Sequence, residues 1–422
     1  MAERPQQLRR QVGVAGAVLM GLGSIVGTGV FVSLGLAAEL VGSAMLVALA
    51  IAAALACFNG LSSAQLAAAH PVSGGTYEYA NRTIGPLAGF TAGWMFMTAK
   101  SASAATAALG FAGYSLHIAG ADPALRVPVA LGGTLALTAI VYGGIRRTNL
   151  FNAVVVAITL GVLGTFAVVG VPSVAERGLA LPSSVPVPGL LEASALLFVA
   201  YTGYGRIATL GEEVVEPRRT IPRAIIATLV TVLVLYGSVA VAALGALGAD
   251  GYAEVTRATA APLQTAASAM GQPWLAAAVA AGAVTAMLGV LVNLLLGLSR
   301  VLLAMARRGD APAVFATLDA SGTTPGPAVL MVGAIVSSLV LLGDVKTTWS
   351  FSAFTVLVYY ALTNASALRL PPNDRLYPRW ISWAGLGGCG FLALWVPPPY
   401  WVAGLGLLAL GHGLRAILRA AP

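Results

Sequence analysis

Twelve stretches of mostly apolar residues follow one another along this chain, near 12–36, 43–66, 84–117, 126–145, 150–171, 190–211, 222–248, 273–304, 327–343, 346–370, 378–396 and 399–418. An α-helix needs about 20 such residues to cross the roughly 30 Å hydrocarbon core of a bilayer. Hydrocarbon offers no partner to a free N–H or C=O, so runs of this kind can span it only as helices. With 58% hydrophobic and only 9% charged residues and a mean hydropathy of +0.87, the composition is that of an integral membrane protein rather than a globular domain. Residues 1–11 are polar and the first apolar run lacks the small-residue flank of a cleavage site, so that run is expected to stay as the first span. The expectation is an all-α, multi-pass protein of about twelve transmembrane helices.

Charge placement tests the count. With the N-terminus inside, eighteen of the 23 Lys and Arg fall on the cytoplasmic side, while Arg126, Arg177, Arg257 and Lys346 fall outside and Lys100 lies within a span. That is the positive-inside pattern, and it puts both termini in the cytoplasm of a cell bounded by this membrane. The net charge of +8 therefore reports topology and contact with anionic lipids, and the scattered arginines argue against nucleic acid. Cys57 and Cys389 sit in apolar runs and read as small buried hydrophobes. His70, His117 and His412 are far apart, and no set of Cys, His, Asp and Glu has metal-binding spacing. No carboxylate pair lies within the membrane to act as acid and base. Neither an enzyme nor a cofactor is expected.

Within the first run, Gly21, Gly23, Gly27 and Gly29 interrupt Gly21-Leu-Gly-Ser-Ile-Val-Gly-Thr-Gly-Val-Phe31. Each glycine weakens a helix by about 1 kcal/mol against alanine. Backbone freed at mid-membrane is tolerated where it is buried in protein or lines a wet cavity, although glycines also let helices pack closely. The sixth run has a similar interruption in Phe198-Val-Ala-Tyr-Thr-Gly-Tyr-Gly205. Gly-interrupted segments at corresponding places in two halves point to an inverted-repeat transporter with its binding site at the midplane. The halves would be 12–171 and 190–370, with 378–418 as two added helices.

Five motifs in order then carry a resemblance. They are Gly23-Ser-Ile-Val-Gly-Thr-Gly-Val-Phe31, Pro71-Val-Ser-Gly-Gly-Thr-Tyr-Glu-Tyr79, Phe198-Val-Ala-Tyr-Thr-Gly-Tyr204 with Glu212-Glu213, Pro217-Arg-Arg-Thr-Ile-Pro-Arg223, and Gly297-Leu-Ser-Arg-Val-Leu-Leu-Ala-Met-Ala-Arg307. On these the chain resembles the amino acid–polyamine–organocation permeases over spans one to ten. The resemblance implies the LeuT-type fold, two inverted five-helix repeats with an amino acid held between broken helices one and six. The substrate carboxylate would meet the N–H groups of Gly27, Thr28 and Gly29 at a half-helix N-terminus. The ammonium would meet carbonyls around Ile25, Val199, Ala200 and Thr202. Val26 and Gly203 complete the two broken segments, and Phe198 and Tyr201 are aromatic neighbours for side chain, gate or plain packing. Pro71–Tyr79 suits a short helix–turn at the interface, and 250–272 an outer lid with a short helix.

Lys100 lies about 14 residues beyond Pro86, roughly 21 Å along a helix and too deep for easy snorkelling. Intramembrane ionisable groups are rare and are functional candidates by default. Three roles stay open: a site that gains and loses a coupling proton, a contact to substrate or gate, or a structural charge on a broken helix end. Some proton-coupled members of the family carry a lysine in span five; the matching position here is Thr159. Lys100 taking over that role, a sodium-compatible site at Thr159, and uncoupled exchange all remain possible readings. Arg206 stands where many relatives place an acid; pairing with Glu212 or Glu213, contact with cytoplasmic-gate groups and an ordinary interfacial arginine are its open readings. The expected activity is secondary active transport of an amino acid by alternating access, as proton-coupled uptake of a neutral one. The alternatives are an exchanger, a cationic amino acid or polyamine transporter, and a membrane amino-acid sensor.

Overall fold

A computed structural model describes residues 10–71, 74–144, 149–179, 185–211, 213–259, 261–319 and 324–420. Its helices, in chain order, are α1 (Val14–Ile25), α2 (Leu34–Val41), α3 (Met45–Ala69), α4 (Thr76–Thr83), α5 (Pro86–Ala119), α6 (Arg126–Tyr142), α7 (Asn149–Val169), α8 (Val171–Arg177) and α9 (Val187–Tyr201). There follow α10 (Gly205–Ala208), α11 (Pro217–Ala258), α12 (Pro262–Ala269), α13 (Pro273–Arg307), α14 (Gly326–Val340), α15 (Val345–Leu368), α16 (Arg379–Ala393) and α17 (Pro398–Ala420). Among the described residues the only β pairing is a single bridge between Val12 and Val214.

Every one of the twelve apolar stretches falls on helix. Eight helical stretches are long and apolar enough to cross a membrane, and the first, Val14–Ala69, takes in two of the expected runs. The difference from twelve has physical sources. Helices α14 and α16 have 15 residues each, short of the ~20 a crossing needs. Helix α5 is 34 residues long, but its middle, Thr98-Ala-Lys-Ser-Ala-Ser-Ala-Ala-Thr106, is mostly small and polar.

Prolines set many of the helix starts, at the first turns of α5, α11, α12 and α13, where the missing N–H has no helical acceptor to lose. Asp344 caps α15 by accepting the N–H groups of Lys346 and Thr347, as an N-cap carboxylate should. Helix α11 runs for 42 residues, and Gly248 (φ 72°) turns it within that length; only glycine takes that φ without strain. The short helix expected before α5 is α4, and the one expected in 250–272 is α12.

Helix α5 runs through the middle of the bundle, packed on α15, α13, α4 and α6. Between apolar helices in lipid there is little hydrophobic drive, so small residues and hydroxyl bonds hold the contact. Here Ser103 bonds Ser352 at 2.8 Å, Ser352 donates to the Ala99 carbonyl at 2.9 Å, and Thr106 donates to Thr348 at 2.8 Å. Buried α5 thereby carries a polar edge up to the place where the first and sixth runs are interrupted.

Candidate functional site

The first run is broken as its glycines predict. Helix α1 ends at Ile25, Val26 is extended (φ −78°, ψ 104°), and the chain resumes as a π-helical turn over Gly29–Ser33 that leads into α2. The Val26 N–H still reaches the Leu22 carbonyl at 2.8 Å, and those of Val30 and Phe31 reach the Gly27 carbonyl. The N–H groups of Gly27, Thr28 and Gly29 between them have no backbone acceptor among the described residues.

The sixth run is disturbed less than expected. Helix α9 tightens into a 3₁₀ turn, Thr202–Tyr204, and continues as α10 with right-handed dihedrals at Thr202, Tyr204 and Gly205. Gly203 is there for its missing side chain: a Cβ at that position would stand 2.4 Å from the Ser24 carbonyl oxygen. At Gly29 a Cβ would come within 3.0 Å of Ala200 Cα. The two interruptions therefore cross in near backbone contact.

Side chains from neighbouring helices hold the carbonyls that the interruptions release. Tyr236 of α11 donates to the Ile25 carbonyl at 3.0 Å, and Tyr360 of α15 to that of Thr202 at 2.9 Å. Asn293 of α13 reaches the Gly23 carbonyl at 3.3 Å, and Thr202 Oγ1 reaches that of Val199 at 2.8 Å. Sequence reasoning passed over these donors, although a tyrosine or asparagine inside an apolar run is a polar group in need of a partner. The Thr28 hydroxyl, by contrast, is buried with no partner.

Lys100 reaches this crossing. Its Nζ donates to Thr202 Oγ1 at 2.8 Å, the residue is 9% exposed, and no carboxylate among the described residues pairs with it. A charge taken out of water with one hydroxyl for company is far from compensated.

A small cavity of about 40 Å³ lies at the crossing, lined by Ser24, Ile25, Thr28, Gly29, Lys100, Ser103, Val199, Ala200, Thr202, Gly203, Val290, Leu294 and Trp349. A second cavity of about 260 Å³ shares Ser24, Lys100, Thr202, Gly203, Val290 and Leu294 with it. It runs toward the end of the bundle that carries Arg206, Arg300 and Glu213. The first has room for little more than ordered water; the two together approach the lower bound of ordinary small-molecule pockets, about 300 Å³.

Of the residues singled out in the sequence, Ile25, Thr28, Gly29, Lys100, Val199, Ala200, Thr202 and Gly203 meet at this cavity. Val26 and Gly27 stand in the break but do not line it, and Phe198 packs edge-on against Tyr360 with ring centres 5.6 Å apart. Tyr201 packs on Tyr236. Thr159 donates to the carbonyl of its own helix at Val155, 2.8 Å away, and lines neither cavity. Arg206 donates to Thr209 Oγ1 at 3.2 Å; Glu213 lines the same cavity, whereas Glu212 lies outside the described residues. No cluster of His, Cys, Asp and Glu suited to a metal occurs among the described residues.

Comparison with known proteins now bears on this geometry. Residues 16–419 match the amino acid permease family. The chain belongs to that family. It is 42% identical to an uncharacterized transporter of Mycobacterium tuberculosis over 98% of this chain and 93% of the relative. It is 29% identical to a branched-chain amino acid permease of Bacillus subtilis over 84% of this chain and 80% of the relative. A vacuolar cationic amino acid transporter of Arabidopsis thaliana is 26% identical over 88% of this chain and 65% of the relative. The protein is thus a multi-pass membrane transporter of the amino acid permease family rather than an enzyme.

Proposed function

We propose that this permease takes up a neutral amino acid by alternating access, with one proton carried on Lys100. In this reading the chain has the LeuT-type fold with twelve crossings: 12–171 and 190–370 are inverted repeats, 378–418 is an accessory pair, and both termini face the cytoplasm of a plasma membrane. The substrate carboxylate docks on the N–H groups of Gly27, Thr28 and Gly29, whose positive end suits an anion. The ammonium shares the carbonyls of Ile25, Val199, Ala200 and Thr202; that of Ile25 has a second lone pair beside the one the Tyr236 hydroxyl uses, whereas those of Val199 and Thr202 also accept the N–H groups of Thr202 and Gly205 and must exchange a donor for it. Ile25, Val290, Leu294 and Trp349 give the side chain an apolar surround, in keeping with the branched-chain permease among the relatives.

The observation that carries the reading is the bond from Lys100 to Thr202, which puts an unpaired titratable group on the second interruption. A neutral lysine could keep that bond by donating from its amine, so proton loss need not break the site; it would change the charge that an arriving carboxylate meets. Gain and loss of the proton would thereby be linked to occupancy.

Uptake of labelled amino acids into sodium-free liposomes tests this. A gradient of one pH unit is worth about 1.4 kcal/mol, so one proton per substrate sets a limit near tenfold accumulation. Wild type should approach that limit for one class of neutral substrate. Lys100→Met should lose accumulation and keep exchange. Accumulation that persists in the variant sinks the role of Lys100; exchange without accumulation in wild type makes the protein an exchanger.

A further inference from the structure

The larger cavity has a charge content that the reading above does not use. Its described lining carries Lys100, Arg206 and Arg300 against a single carboxylate, Glu213. Arginines near a helix end usually face lipid headgroups or water; these two are exposed as well, yet both stand on the wall of one shared chamber. Arg206 has one hydrogen bond, to Thr209, and neither arginine is in an ion pair among the described residues. Other arginines of the bundle meet carboxylates: Asp310 accepts Arg415 Nε at 2.7 Å, and both oxygens of Glu78 accept Arg308 Nη2 at 2.7 Å. Converging like charges in a chamber with low-dielectric walls raises its potential and concentrates anions there.

We propose that Arg206 and Arg300 form an anteroom that binds the carboxylate of the transported amino acid before it reaches, or after it leaves, the helix interruptions. This rests on the transport reading. A guanidinium presents a planar fork that matches a carboxylate in two parallel bonds, and the chamber walls also offer Asn293 and Glu213, an acceptor for the ammonium. The zwitterion is thus met in one orientation, and lysine or arginine, with a second positive charge, is opposed by three cations. The chamber lies toward the end of the bundle that carries Arg206 and Arg300, so its loss should be felt from one side.

Half-saturating concentrations for a neutral substrate, measured in right-side-out and inside-out vesicles, test the proposal. Arg206→Gln and Arg300→Gln should each raise the value about tenfold, a loss of about 1.4 kcal/mol, on the face where the chamber opens. On the other face the change should stay within twofold, and Arg300→Lys should recover part of the loss. Equal rises on both faces, or none on either, overturn the anteroom. Wild-type vesicles that transport no amino acid would sink the transport reading instead. In that event propionate, a carboxylate without an ammonium, decides: it should raise the unfolding temperature of the purified wild type but not of the double Gln variant, and no rise in wild type overturns the anteroom.

Discussion

Replacing Asp310 by asparagine should loosen the last helix from the bundle. Asp310 follows α13, and its side chain is 1% exposed. One oxygen accepts Arg415 Nε at 2.7 Å and Arg419 Nη2 at 2.9 Å, and the other accepts the Tyr77 hydroxyl at 2.8 Å. Arg415 is 5% exposed, with its remaining contacts at the Pro86 carbonyl, 3.1 Å away, and the face of Phe90. Asparagine keeps the volume and one acceptor oxygen but removes the charge, so the Arg415 guanidinium is left buried without a counter-charge. Removing one partner of a buried pair costs about 3–5 kcal/mol. The Arg419 arm is half exposed and adds ~0–1 kcal/mol. We expect a loss of about 3 kcal/mol, seen in detergent as a fall of several degrees in the unfolding midpoint by tryptophan fluorescence. Because the penalty lies in the orphaned charge, Arg415→Met added to Asp310→Asn should recover most of it. A single variant within about 1 kcal/mol of wild type, or a double variant no better than the single, would refute the reasoning. Tyr77 also lines the larger cavity, so the same substitution should alter transport kinetics.

Two further substitutions probe the crossing itself. Gly203→Ala places a methyl 2.4 Å from the Ser24 carbonyl and 2.5 Å from Ile25 Cγ1; the segments must part by about 1 Å, at an overpacking cost of roughly 1–3 kcal/mol. Transport should fall to background, whereas Gly132→Ala, outside both cavities and with nothing among the described residues within 4 Å of the added methyl, should transport normally. Tyr236→Phe removes the donor to the Ile25 carbonyl and should cost about 1–3 kcal/mol in thermal unfolding. Tyr201→Phe removes a buried hydroxyl that has no partner, and should be neutral or stabilising in the absence of substrate.

The helical architecture was legible because apolar runs of membrane length leave the backbone no alternative, and the break at Gly27–Gly29 because four glycines in nine residues defeat a helix. Lys100 stood out as the one basic residue that the charge count placed on neither side of the membrane. What the sequence did not display was the difference between two uses of glycine. In the first run glycine accompanies a true break in the dihedrals; at Gly203 the helix merely tightens, and the glycine makes room for Ser24. A one-dimensional reading sees the same residue in both places, since only the opposing backbone distinguishes conformational need from lack of space. Nor could it place Tyr236, Tyr360 and Asn293 at the carbonyls, because those contacts join residues 211, 158 and 270 positions apart.

Those three side chains also shape the chemistry of the crossing. The carbonyls of Gly23, Ile25, Val199 and Thr202 have side-chain donors already, whereas among the described residues the N–H groups of Gly27–Gly29, the hydroxyl of Thr28 and the ammonium of Lys100 have few or no acceptors. The crossing therefore holds an excess of donors, and the group it lacks is an acceptor. In the proposed binding mode an amino acid would answer that imbalance with its carboxylate, while its ammonium would compete with tyrosine hydroxyls for carbonyls already engaged. The two ends of the substrate are consequently unequal: the carboxylate fills a want, and the ammonium displaces or shares. Replacing the carboxylate by a carboxamide should then abolish binding more completely than methylating the ammonium once, a ranking that competition for uptake can read directly. The reverse ranking would mean that the carbonyls, not the free N–H groups, hold the substrate.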